Sequence, residues 1–197
     1  MDRRQRKTRE AIFNAFTGLL AKKDFAAITV GEIIEKADVG RATFYAHFET
    51  KDYLLKELNE ELFCHVFDSM MDSAVNHRHI FDCKESDSLF LHLLYHIYRN
   101  DNHILDLFSS VNNELFLRYF KNCMINLLSA RKDVTEKSKP KNVPSDFWIN
   151  HIASAFIECI RWWTDGNAHL APSEVSDYFL VSVNLKEDFD EKNVDCC

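Results

Sequence analysis

The chain has very few residues that break or reverse the backbone, with four glycines and three prolines in 197 residues. Sandwiches and barrels join many short strands through tight turns, and those turns depend on Gly and Pro. Hydrophobic residues nevertheless make up 46% of the chain, enough to bury a sizeable core. This combination predicts an all-α protein of about nine helices.

Nothing in the sequence indicates a membrane or a secretory route. No apolar run is long enough to span a bilayer, and no apolar segment follows the basic N-terminus. The six cysteines include no CxxC pair, and Cys64, Cys123 and Cys159 fall in apolar helical patterns that favour reduced, buried thiols. We therefore expect a cytoplasmic protein.

Charge is divided unevenly along the chain, although the net charge of −7 alone speaks against nucleic acid. Residues 1–51 hold ten basic and seven acidic side chains, whereas residues 52–197 hold fourteen and twenty-four. Such asymmetry is typical of a small basic unit that meets a polyanion, carried on an acidic body. We predict a head over 1–50, a helical body over 51–185 and an acidic, disordered tail over 186–197.

Capping residues and apolar spacing place the helices. The candidate N-caps are Thr8 for the first helix, Thr29 for the second and Thr50 for the fourth. A short third helix lies between the second and the fourth. Residues 76–86 and 131–144 are expected to be loops. Later helices are predicted over 87–99, 102–110, 113–130, 145–165 (with Ser145 as cap and Gly166 as stop), and from Pro172 to about Val183.

The segment VGRATFYAHFETK, residues 39–51, is dense in groups that can reach phosphates and base edges. A helix, a tight turn and a short helix form a helix-turn-helix, whose second helix enters the major groove of DNA. Arg41 and Thr43 begin the short helix, which covers about 40–47. Arg reads guanine bidentately, and Thr offers a hydroxyl or a methyl group. Tyr45, His47 and Lys51 are expected on phosphates.

Two other interpretations of this segment stay open from the residues alone. Phe44 and Phe48 are four apart and would pack inward, so the segment could simply be a surface turn with buried rings. The chief rival function is a helical dimer whose basic arm binds an acidic protein or a membrane surface, although the arm is too short to anchor in a membrane. The rival predicts that Thr43 and Tyr45 do not matter for binding.

Residues 29–55, TVGEIIEKADVGRATFYAHFETKDYLL, closely resemble the DNA-binding region of the TetR family of bacterial one-component regulators. The strong match covers about 8–58. The resemblance implies an all-α homodimer that binds a partly palindromic double-stranded DNA operator, usually as a transcriptional repressor, and needs no cofactor. The matching positions are Thr29, Ile33, Ala37, Val39, Thr43, Phe44, Tyr45, His47, Phe48, Lys51, Leu54 and Leu55.

The resemblance also implies a role for each matching side chain. Two departures matter: Gly40 stands where the family often has a capping Ser, and Asp24 where a Gly usually ends the first helix. By position, the residues expected to contact phosphates are Thr29, Tyr45, His47 and Lys51. Those expected to face bases are Arg41, Ala42 and Thr43. Arg4 and Arg6 of the basic arm would add phosphate or minor-groove contacts.

Residues 146–180 look like the last two helices of a TetR subgroup that includes regulators of dihydroxyacetone metabolism. In the family these helices pair with their symmetry mates as a four-helix bundle. Two apolar stripes on the first of them could face the partner, and the sequence leaves the choice open. One contains Phe156, Ile160 and Trp163, which we expect at the interface with Tyr178, and the other contains Trp148, Ala155 and Trp162.

TetR-like proteins generally bind a small-molecule effector among their central helices, and plain core packing is the alternative for any residue there. Candidate pocket residues are Phe90, Leu94, Tyr98, Phe108, Phe116 and Phe120.

No enzyme is expected, since the chain has no Gly-rich phosphate loop, no GxSxG and no HExxH. His92 and His96 lie four apart and His77 and His79 two apart, but a closed metal site needs three or four ligands, so we expect no metal site.

Overall fold

The structure, a computed structural model, describes residues 3–70, 88–99, 104–109 and 114–185. Within these ranges the chain is helical and has no strand, which confirms the all-α prediction, and none of the helices could cross a bilayer. The helices are α1 (Arg3–Leu20), α2 (Val30–Lys36), α3 (Arg41–His47), α4 (Lys51–Met70), α5 (Leu89–Tyr98), α6 (Ile104–Ser109), α7 (Glu114–Ala130), α8 (Lys132–Ser138), α9 (Ser145–Thr164) and α10 (Pro172–Ser182), with a 3-10 turn at Phe25–Ala27.

Local capping signals fix the start of α2 and α4, as predicted. The Thr29 hydroxyl accepts a hydrogen bond from the backbone N–H of Glu32, and the Glu32 carboxylate accepts one from the N–H of Thr29. This reciprocal capping box satisfies two amides that the helix itself leaves unpaired. Thr50 caps α4 in the same way by accepting from the N–H of Tyr53.

The first helix begins earlier than predicted. Arg3 to Lys7 are already helical, and the Thr8 hydroxyl donates to the carbonyl of Arg4 inside the helix instead of capping it. The physical reason is that Arg, Gln and Lys are good helix formers, so nothing in this stretch stops the helix at Thr8. The predicted basic arm is therefore, over its described residues, the first two turns of α1.

The segment predicted as a loop over 131–144 contains α8. Its Thr135 is fully buried and Val134 partly so, because α8 packs against both α7 and α9. The Ser138 hydroxyl accepts a hydrogen bond from the Trp148 indole N–H at 3.1 Å. Tertiary packing thus orders a polar segment whose sequence carries no helical apolar pattern.

Helix α9 starts one residue after Pro144, which is its N-cap, so Ser145 is not the cap. It ends at Thr164, and Gly166 follows with a φ of +94°, the left-handed conformation that favours glycine after a helix. Pro172 occupies the first turn of α10, as expected.

Aromatic side chains form separate clusters in the body. Phe63 of α4 meets Phe120 of α7 with ring centroids 4.9 Å apart, and Phe108 and Phe116 complete this cluster. A second cluster joins α5, α9 and α10 through Phe90, Phe156 and Phe179, with centroids 4.6 to 5.1 Å apart. The body contacts the head through α6, which packs on α1, as well as through the continuous helix α4.

The prediction that three cysteines are buried is only partly correct. Cys64 is exposed, so the prediction of a buried thiol there is wrong, whereas Cys123 and Cys159 are partly buried. Burial raises the pKa of the Cys123 thiol to about 12 and that of Cys159 to about 11.

The predicted loop at 76–86, with His77 and His79, and the tail at 186–197 lie outside the described residues.

The buried histidine pair of α5 is expected to make the folded chain less stable in acid. His92 and His96 are buried with their rings stacked 5.0 Å apart, and burial, with His96 as a second cause, lowers the pKa of His92 to about 4. The unfolded chain therefore takes up a proton that the folded chain resists. Stability is full above the unfolded pKa near 6.5 and falls as the pH drops from there to 4, by roughly 3 kcal/mol.

Replacing His92 with Gln is expected to remove most of this loss between pH 6.5 and 4. Urea unfolding across that range measures it, with exposed His169→Gln as the control for losing one imidazole. An H92Q protein that loses as much stability in acid as the wild type would show that other groups cause the loss.

Candidate DNA-binding surface

The short helix α3 is held by its buried side and presents the other side to solvent. Phe44 is fully buried, and Phe48 just beyond the helix is also fully buried with its ring 6.0 Å from that of Phe44. Arg41, Ala42 and Thr43 are exposed side by side on the first turn. A helix anchored by one aromatic side chain can thus present three successive side chains to a groove.

Two structural details concern the ends of α3. Gly40 precedes the helix and supplies no side-chain cap, as its identity requires. The turn before it is made by Asp38, whose φ of 52° is a left-handed conformation that Asp tolerates better than most residues. Tyr45 is 47% exposed, and its ring is perpendicular to that of Phe44, with centroids 5.4 Å apart.

Two of the predicted phosphate ligands have other contacts in this structure. The Thr29 hydroxyl is exposed but serves the capping box, donating to Glu32 while accepting from its N–H. Lys23 and Thr29 together lower the pKa of Glu32 to about 2. His47 is half-buried, and burial, followed by the charge of Arg9, lowers its pKa, which favours the uncharged imidazole; its ring N–H can still donate to a phosphate.

Lys51 points into the head and not toward solvent. Its ammonium donates to the carbonyls of Phe25 at 2.8 Å, Ala26 at 3.2 Å and Ile28 at 2.8 Å, and it lies 4.5 Å from the centre of the Phe25 ring. Three acceptors use all three hydrogens of the ammonium. The side chain therefore ties the connection between α1 and α2 to the start of α4.

Replacing Lys51 with Met is expected to lower the free energy of unfolding by about 1–3 kcal/mol, because carbonyls that the ammonium satisfied lose their partner. The slope of log affinity for DNA against log salt concentration should stay unchanged. Thermal unfolding and salt-dependent DNA titrations measure the two effects. A slope reduced by about one, without loss of stability, would instead identify Lys51 as a phosphate ligand.

The basic residues at the start of α1 border a groove beside the turn that precedes α3. Arg3, Arg4 and Lys7 line it on one side and residues 37–39 on the other, and its volume is about 530 Å³. Arg6 is partly buried and is not among the lining residues. The groove brings these cations beside the turn that leads into α3. No residue pattern singles out Arg3 and Lys7 for this position.

Five of the six predicted effector residues are buried in the core of the chain, and their role as a pocket stays a prediction. Phe108, Phe116 and Phe120 belong to the cluster with Phe63, and Phe90 belongs to the cluster with Phe156 and Phe179. Leu94 is fully buried, and Tyr98 is 52% exposed and stacks on Trp163 with centroids 5.8 Å apart.

The predicted dimer contacts divide into buried and exposed residues. Phe156, Ile160 and Trp163 are fully buried within one chain, so a partner cannot touch them, and placing them at the interface was wrong. The stripe they occupy faces the chain's own core, where Phe156 meets α5 and α10. Tyr178 is exposed and contacts Trp162 edge-on at 6.4 Å.

The exposed face of α9 and α10 carries large apolar side chains. Trp162 is 47% exposed, Phe147 62% and Val181 81%, and with Tyr178 they form what we call the α9–α10 face. Of the second predicted apolar stripe of α9, Trp162 lies on this face and Ala155 is partly buried, whereas Trp148 is buried and bonds to Ser138. Exposed apolar side chains on two adjacent helices indicate a surface that another chain covers.

Taken together, an anchored reading helix behind a tight turn, with cations beside it and a helical body above it, defines a helix-turn-helix protein of the DNA-binding class. The family model "Bacterial regulatory proteins, tetR family" matches residues 12–58, and the model "Transcriptional regulator C-terminal region" matches residues 84–184. The chain belongs to the TetR family of transcriptional regulators.

Individual relatives agree with this assignment. A TetR transcriptional regulator from Streptococcus agalactiae is 33% identical, with 92% of this chain and 96% of that chain covered and a TM-score of 0.64. The dihydroxyacetone kinase operon activator DhaS is 21% identical, covers 90% of this chain and 96% of its own, and has a TM-score of 0.54, which shows a shared fold.

The uncharacterized HTH-type regulator YxbF of Bacillus subtilis is 35% identical over 95 residues, which are 48% of this chain. This chain thus spans about a quarter, 24%, of the length of that relative.

Proposed function

We propose that this chain is a transcriptional repressor that binds a pseudo-palindromic DNA operator as a homodimer in the cytoplasm. The head, residues 1–50, reads DNA, the body, residues 51–185, dimerises and binds an effector, and 186–197 form a tail. The observation that carries the proposal is α3, which is held by buried Phe44 and exposes Arg41, Ala42 and Thr43 on one turn. The proposal assigns no enzymatic step and no cofactor to the chain.

In this proposal the side chains divide into base readers and phosphate ligands. Arg41 and Thr43 face base edges, with Ala42 against a thymine methyl or the groove floor. Tyr45 and His47 donate to phosphates, and Arg4 acts with Arg3 and Lys7, which line the same groove. Arg6 does not line this groove, and it adds a positive charge near the DNA backbone. Thr29 and Lys51 act by holding the helices that make these contacts.

The α9–α10 face supports the homodimer. A twofold axis would bring Trp162 and Tyr178 of each chain against the same residues of the other, so that the apolar patch of each copy covers that of its partner. Two heads on one rigid dimer can reach successive major grooves, about 34–36 Å apart, and this requires two half-sites of inverted sequence.

An effector would act on this arrangement by favouring a dimer in which the two heads no longer match the half-site spacing. Helix α4 begins directly after the head and α6 packs on α1, so both can transmit a change in the body to the head. The clusters around Phe108 and Phe90 are the proposed sites of that change.

Selection of bound duplexes from a random pool tests the proposal. The purified chain should enrich a pseudo-palindrome whose two halves are related by about one helical turn. A pool without an enriched motif, or one enriched only in a single half-site by a monomer, would contradict it and would favour a protein or membrane partner for the basic surface.

A further inference from the structure

We propose that Arg9 is a positioning residue that clamps the DNA-reading head to α4 and thereby sets the half-site spacing that the dimer accepts. The inference deepens the proposed function and depends on it. In the sequence Arg9 is one cation of a basic stretch whose charge predicts contact with DNA.

Arg9 is held by two carboxylates of α4. Its terminal nitrogen Nη2 lies 2.9 Å from Oε2 of Glu57 and 2.8 Å from Oε1 of Glu61, two residues that lie one turn apart on the same face of the helix. The side chain of Arg9 is only 12% exposed, and those of the two glutamates are 20% and 19% exposed. A guanidinium enclosed in this way is not available to a phosphate.

The same guanidinium also contacts the aromatic core of the head. Its central carbon lies 5.4 Å from the ring centre of Phe13 on α1 and 4.9 Å from that of Phe48, which directly follows α3. These are cation–π distances, and partial burial strengthens such contacts. One side chain therefore joins three parts of the molecule: α1, the end of the reading helix and the second and third turns of α4.

The position of Arg9 matters because its ion pairs reach further along α4 than the other polar attachments of the head, in addition to the apolar packing of Leu54 and Leu58. The covalent connection from α3 to α4 consists of residues 48–50, and Lys51 ties the first residue of α4 to the 25–28 segment. Both of these polar attachments lie at the very start of α4, so a pivot of the head would turn about that point. Arg9 provides a third attachment, one to three turns further along α4.

A pivot at this point would change the distance between the two reading helices of a dimer. The body fixes the two copies of α4, so the angle between head and α4 determines where each α3 lies. Adjacent base pairs are about 3.4 Å apart, so a shift of a few ångströms corresponds to one base pair of spacing. Loss of the clamp should therefore relax the preference for spacing without altering the preference for half-site sequence.

The test uses two variants, one on each side of the clamp, that change the net charge of the chain in opposite directions. Arg9→Met keeps the apolar stem against Phe13 and Phe48 but removes the cation, whereas the double variant Glu57→Gln, Glu61→Gln removes the two carboxylate charges and leaves the chain more positive. Each is titrated with duplexes that carry two copies of the half-site selected by the wild type, at the natural spacing and with one base pair added or removed.

Both variants are expected to lose discrimination between spacings by about tenfold, which is about 1.4 kcal/mol. Lys56→Met is the matched control, because its ammonium pairs with Glu60 within α4, 3.3 Å away, and does not reach the head. The control should keep the wild-type ratio of affinities between spacings.

Uniform weakening at every spacing would overturn the clamp and leave Arg9 a residue that only stabilises the fold. Opposite effects of the two variants, weaker binding for R9M and tighter binding for the double variant at all spacings, would overturn it in favour of simple attraction to DNA. Failure of the wild type to select any half-site would contradict the proposed function itself, which keeps the two failures distinct.

Discussion

A protein in which Trp162 is replaced by glutamate is expected to be monomeric at concentrations at which the wild type is a dimer. Trp162 is exposed on the α9–α10 face beside Tyr178, so the substitution leaves the core of the single chain intact. Because of the twofold symmetry each substitution occurs twice and places two carboxylates near the axis. Interface tryptophans often contribute 2 kcal/mol or more, so the dimer should weaken by about 4 kcal/mol, or a thousandfold.

Size-exclusion chromatography with light scattering measures this loss, and circular dichroism shows that the chain stays helical. Tyr95→Glu on α5 is the matched control, since Tyr95 is similarly exposed but lies outside the α9–α10 face. The control should remain dimeric. A W162E protein that stays dimeric would place the interface on another surface, and the account of two heads on one α9–α10 bundle would then fail.

Replacing Arg41 with Ala is expected to change which operators the protein prefers, and not only how tightly it binds. Arg41 is exposed on the first turn of α3, where a bidentate contact to guanine discriminates against other bases by about 1–3 kcal/mol. Discrimination at one base pair of each half-site should fall by about five- to a hundredfold.

Competition titrations with operator variants measure this change for Arg41→Ala and for the control Lys7→Ala. Lys7 lies in the groove beside α1, so its loss should weaken binding to all sequences alike and reduce the salt slope by about one. If R41A weakened all operators equally, as the control should, Arg41 would be a phosphate ligand and not a base reader.

The parts of the molecule that could be predicted from sequence depend on neighbours along the chain. The caps at Thr29 and Thr50 and the bounds of α3 follow from contacts within four residues, and the spacing of Phe44 and Phe48 marks the side of α3 that is buried. The reading helix and its exposed side chains belong to this group. The TetR family follows from the same short stretch.

The parts that were wrong or missed depend on contacts between distant residues. Lys51 bonds to carbonyls 23 to 26 positions earlier, and Arg9 pairs with glutamates 48 and 52 positions later. Neither pairing has a local pattern. The choice between the two apolar stripes of α9 likewise depends on where α5 and α10 pack, which a helical periodicity cannot specify.

The central claim is that two copies of this chain read two half-sites of one DNA duplex. The most direct measurement is a titration of the selected duplex, and of the same duplex with one half-site scrambled, at salt concentrations of about 50 and 200 mM. The account predicts two chains per intact duplex, much weaker binding to the scrambled one, and a steep loss of affinity at the higher salt concentration. Equal binding to both duplexes, or binding indifferent to salt, would contradict it.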